Sequence, residues 1–129
     1  MKIIQVLFLM LFSMLVSQSY AADANVIGNY TCMGADALGQ NKYTNPVTVT
    51  KNGSAYIIQW MNTSGNPYNV GTGIVNTSVS DSLAATFWDP ATKGSVGVIL
   101  YHIASDGSMQ GNWALMGGST VGVETCTKK

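Results

Sequence analysis

The sequence contains no arginine and a single histidine, His102, and only 9% of its residues are charged. Each scarcity excludes a class of function. Lys42, Lys51 and Lys93 are scattered and only Lys128 and Lys129 adjoin, so the basic footprint of a nucleic-acid binder is missing. One histidine and two cysteines, Cys32 and Cys126, cannot assemble the clusters that hold zinc, and no metal or other cofactor is expected. The many serines include no G-x-S-x-G elbow, and Gly71-Thr72-Gly73 lacks the lysine and following helix of a phosphate loop. No residue is therefore assigned a catalytic role, and the protein is expected not to be an enzyme.

What is present starts with Lys2, an apolar run from Ile3 to Val16, polar Ser17-Gln18-Ser19 and small residues from Ala21 to Ala24. This reads as a secretory signal peptide over residues 1–24, with cleavage after Ala21 or after Ala24. The run is shorter than the ~20 residues a membrane span needs, and no cysteine follows it for lipid attachment. The expectation is a bacterial protein released into the periplasm or outside the cell, without a membrane anchor. Residues 25–129 then form a single domain in which the five lysines above are balanced by Asp36, Asp81, Asp89, Asp106 and Glu124. In an oxidising compartment Cys32 and Cys126 are expected to form one disulfide, and they make no C-x-x-C redox motif.

Turn signals recur at short intervals, and the clearest is Ser105-Asp106-Gly107-Ser108, flanked by alternating residues from Gly94 to Met116 that predict a hairpin. Eight strand-length segments lie between the breakers: Val26 to Gly34, Tyr43 to Thr50, Ala55 to Met61, Tyr68 to Val75, Leu83 to Trp88, Val96 to Ile103, Met109 to Met116 and Val121 to Thr127. Helix-period stripes are absent, and every connection is short enough for a hairpin. Such a chain forms a sandwich or curls into a barrel. A disulfide between the first and last strands favours an all-β, eight-stranded antiparallel up-and-down β-barrel (calycin-like), because closure makes those strands neighbours and removes exposed edges.

Alternation assigns an inward face to Tyr30, Cys32, Val47, Val49, Tyr56, Ile58, Trp60, Leu83, Ala85, Phe87, Ile99, Tyr101, Ile103, Met109, Trp113 and Leu115. So bulky a set predicts a mostly filled interior. Gly71, Gly73, Gly97, Gly111 and Gly122 would mark bends or close packing opposite those rings. Glu124 shares a face with Gly122 and Cys126, which with the disulfide inward makes it a carboxylate near the core, read as a hydrogen-bonded structural acid with a functional acid as the alternative. His102 falls on the outward face, and Asp89 and Asp106 fall at loop tips.

In order along the chain, Gly28-Asn29-Tyr30, Tyr56 with Trp60, Gly71-Thr72-Gly73-Ile74, Leu83-Ala84, Tyr101-His102-Ile103, the run from Asp106 to Trp113 and Gly122-Val123-Glu124 resemble a family of small secreted bacterial β-barrels, lipocalin-like in shape, described as fibronectin-binding. That resemblance implies a barrel with a binding role and locates no site. A second resemblance is to periplasmic inhibitors of c-type lysozyme. It rests on Tyr30-Thr31-Cys32, Cys126 and the loop Ser64-Gly65-Asn66-Pro67-Tyr68, with Lys93-Gly94 in place of their lysine-glycine pair and the preceding aromatic further off at Trp88. It makes Ser64, Tyr68 and Lys93 candidate partner-binding residues. The expected function is thus a monomeric, non-catalytic binding barrel whose partner is a fibronectin-like matrix protein; the alternatives are lysozyme inhibition and carriage of a small apolar ligand.

Overall fold

The structure, a computed structural model, describes residues 25–78 and 81–129. The leader read over residues 1–24, with both its cleavage positions, lies outside the described residues. Eight strands follow one another: β1 (Gly28–Ala35), β2 (Tyr43–Asn52), β3 (Ala55–Met61), β4 (Pro67–Asn76), β5 (Ser82–Trp88), β6 (Val96–Ile103), β7 (Met109–Leu115) and β8 (Gly122–Lys128). Each pairs antiparallel with the next, and β8 returns to β1, so the sheet closes into a barrel.

The closing seam sets Cys32 directly opposite Cys126, and the two are bonded across it. Along β6 the period-two pattern is unbroken from Gly97: Gly97, Ile99, Tyr101 and Ile103 are buried, while Val98, Leu100 and His102 are exposed. Most inward assignments from alternation hold in this way. Leu115 also faces inward, across from Gly97, but is 43% exposed because β7 ends there at the barrel's open lip.

Four of the connections open on an Asx turn and a fifth, between β6 and β7, carries one at its tip. The side-chain oxygens of Asp36, Asn62, Asn76, Asp89 and Asp106 accept the backbone N–H two residues on, from Leu38, Ser64, Ser78, Ala91 and Ser108. This local bond offers the chain an alternative to the ladder, ending the strand at the first four and shaping the turn at Asp106. Hydrogen bonds, chiefly from Gln40, Thr92 and Ser108, hold the carboxyls of Asp36, Asp89 and Asp106 below the usual range. These acids shape turns.

The two barrel ends differ. At one, Val26 is not the first residue of a strand, as alternation suggested, but a fully buried plug. The Asn25 side chain donates to the Ser105 carbonyl at 3.1 Å, and Lys128 Nζ donates to the Asn25 carbonyl. Below this plug Tyr30, Tyr56, Leu83, Ile103 and Met109 fill the interior. The other end, ringed by the loops after β1, β3, β5 and β7, is open.

Candidate functional site: the open cup

The open half encloses a cavity of about 410 Å³, within the range of small-molecule sites. Its depth is set by Glu124, which alternation along β8 turns inward between Gly122 and Cys126 and which is 2% exposed. Three donors from three strands converge on this carboxylate. Tyr43 on β2 donates to Oε2 at 2.8 Å, Trp60 Nε1 on β3 donates to Oε1 at 3.1 Å, and the Tyr101 hydroxyl on β6 donates to Oε1. A buried carboxylate is tolerated only when so compensated. The phenols respond in turn: burial, reinforced by the Glu124 charge, pushes Tyr43 and Tyr101 far above the ordinary tyrosine value. Both are neutral donors at any physiological pH.

The cavity exists although the inward residues are bulky, and the reason lies in cross-strand partners. Phe87 lies directly across from Gly97, Trp113 from Gly122, and Tyr43 from Gly34. A Cβ on any of those three glycines would come within 2.3 Å of the facing ring. Each ring therefore lies flat over a glycine of the neighbouring strand instead of reaching across the barrel. The expectation of a mostly filled interior holds for the plugged half and is corrected in the open half.

Trp60, Phe87 and Trp113 wall the cup, with Trp60 and Phe87 in tilted contact at 5.7 Å between ring centres. Ile99 and Leu115 add aliphatic surface, and Asp89 and Ser95 stand at the mouth. The Trp113 Nε1–H is buried without a hydrogen-bond partner among the described residues. It lies near enough to the Tyr43 oxygen to ease that phenol's ionisation slightly, yet not in bonding geometry.

Tyr68 is half-buried and lines the cup, accepting a 2.5 Å bond from Asn45. A register shift between Trp60 and Met61 accounts for this: Trp60 pairs with Asn69 and Met61 with Pro67, so Tyr68 is left out of the ladder as a bulge and turns inward beside Asn69. Burial, then the Glu124 charge, pushes its hydroxyl up to about 12. Ser64 and Lys93 are exposed on the loops after β3 and β5, at the open end. The structure thus puts all three candidates at one end but separates Tyr68, facing the interior, from the two exposed ones. His102 is exposed on the outer face of β6. Cys32, Glu124 and Cys126 approach one another closely, but both sulfurs are spent in the disulfide and offer no thiolate.

Reading residues one strand at a time missed Tyr43, Asn69 and the Trp113 N–H as parts of a cup. The available signal was the repeated pairing of an inward aromatic with an inward glycine on the neighbouring strand.

No protein-family model matches this chain, and no curated protein matches it. Among solved structures it is similar to a redesigned β-barrel, mFAP1, bound to DFHBI, with a TM-score of 0.62 and 16% identity over 82% of this chain and 98% of that one. At that identity the likeness is one of fold.

Proposed function

We propose that this protein is an exported, non-catalytic carrier that holds a small, largely apolar ligand in the open cup. The observation that carries the reading is the aromatic-walled cavity of about 410 Å³, kept open by glycines under the rings. A cup opening at one end, with no histidine or lysine among its lining residues and Glu124 held by three donors, favours binding over turnover, and the turn acids are engaged in their own loops. Titration with para-ethylphenol, followed by the fluorescence of Trp60 and Trp113, should saturate at one ligand per barrel. Folded protein that gives no saturable signal with any small aromatic compound overturns the reading.

A second reading, binding of a protein partner, draws on the outer surface. Ile74, Ala84 and Leu100 lie in register across three adjacent strands, with exposed Val98 beside them, an apolar strip on the water-facing side of the sheet. The resemblance to fibronectin-binding barrels gives that strip a candidate partner, and Ser64 with Lys93 on the rim keep lysozyme as the other. Saturable binding to immobilised fibronectin that Leu100→Lys abolishes supports the first. Stoichiometric lysozyme inhibition that Ser64→Ala with Lys93→Ala abolishes supports the second.

A further inference from the structure

The polar chemistry of the cup narrows the ligand class, an inference that rests on the carrier reading. The lining holds two carboxylic acids, Glu124 at its base and Asp89 at its mouth, and no lysine or histidine is among its lining residues. The bonds to Glu124 come from neutral tyrosine and tryptophan donors, which is the pattern an ionised carboxylate accepts. Its charge thus sits in a low-dielectric pocket with no cation among the lining residues to balance it. A carboxylate offers about four lone-pair positions. Among the described residues, Oε1 takes two bonds and Oε2 takes one, from Tyr43, itself a cup residue. One acceptor position is left on the oxygen shared with the cup wall.

Tyr43, which bonds that oxygen, lines the cavity together with the rings of Trp60, Tyr68 and Trp113. Aromatic faces attract cations, most strongly where water is excluded, and an opposite charge at short range gains more in a low-dielectric site than in water. The unpartnered Trp113 N–H adds a second requirement, an acceptor atom on the ligand, because a buried donor left unmade is costly.

We infer that the cup takes a small aromatic amine, with its ammonium group on Glu124 Oε2, its ring between the aromatic walls and a hydroxyl oxygen accepting from Trp113. Tyramine has these parts and serves as the probe. Its comparison set is phenethylamine, which lacks the hydroxyl, para-ethylphenol, which lacks the charge, and para-hydroxyphenylpropionate, which reverses it.

Calorimetric titration of the wild-type protein needs no variant to fold. Tyramine should bind about tenfold or more tighter than para-ethylphenol, phenethylamine should fall between them, and the carboxylate should bind weakest. Glu124→Gln, checked for its fold by circular dichroism, should remove the preference for tyramine over para-ethylphenol. Equal or tighter binding of para-ethylphenol or of the carboxylate by the wild-type protein overturns the cation inference while leaving the carrier reading in place. Absence of binding by all four compounds overturns both.

Discussion

The Tyr30 hydroxyl donates a 2.7 Å hydrogen bond to the carbonyl of Val26, four residues earlier, inside the barrel. The bond satisfies a main-chain oxygen that the plug would otherwise bury alone, and it fixes which end of the barrel is shut. Val26→Ala should lower stability by about 1–3 kcal/mol through lost burial. Tyr30→Phe should cost about 1 kcal/mol or somewhat more, since the carbonyl loses its partner. Urea titrations check both, and both variants should keep ligand binding at the opposite end. His102→Ala, on the exposed face, should stay within about 0.5 kcal/mol of wild type.

Gly122→Ala tests why the cup is open. The added methyl would meet the Trp113 ring 2.2 Å from Cε2, and the ring has the cavity to move into. Overpacking of this kind costs about 1–3 kcal/mol. Binding of aromatic ligands should weaken, and the tryptophan emission should shift. Trp113→Ala should cost less than a large-to-small change at a filled core position, because the half-buried ring faces a cavity on one side, and its main effect should fall on binding.

Alkaline pH should unfold the barrel through its buried phenols. Burial pushes Tyr30 and Tyr68 up to about 12, and burial reinforced by the Glu124 charge raises Tyr43 and Tyr101 well above the ordinary tyrosine value. An unfolded tyrosine releases its proton near pH 10. Above that value the folded state binds more protons than the unfolded chain, so stability is fully present below about pH 10 and falls as the pH rises through the folded values. The slope is up to about 1.4 kcal/mol per pH unit for each such tyrosine. Urea midpoints between pH 8 and pH 12 measure it, and tyrosinate absorbance should lag behind that of free tyrosine until unfolding.

The Cys32–Cys126 bond joins residues 94 positions apart across the barrel seam. Replacing both cysteines by alanine should lower stability by about 2–5 kcal/mol, most of it through the unfolded chain regaining the freedom that the long loop removes. Denaturant titration with and without reductant reads the difference, and the double variant should not respond to reductant.

Much of this architecture is local information, and the sequence by itself determined it. A strand residue's face follows from its neighbours two positions away, so alternation was enough to turn Ile99, Tyr101, Ile103 and Glu124 inward and His102 outward. Asx residues and glycines end strands through bonds to the next few residues, which made the hairpin boundaries legible. Two cysteines on the first and last of eight such strands could be joined across a seam, and they are.

Register is different, because it exists only when two strands pair. That Trp113 lies over Gly122 and Phe87 over Gly97 depends on which residues face across the ladder, and those pairings decided whether the interior would be full or hollow. The bulge opposite Trp60 and Met61 moved Tyr68 from a rim loop to the cup wall. The donors that keep Glu124 buried come from β2, β3 and β6, up to 81 residues away along the chain. Only closure of the sheet brings them to one carboxylate, since no spacing within a single strand specifies a contact between four.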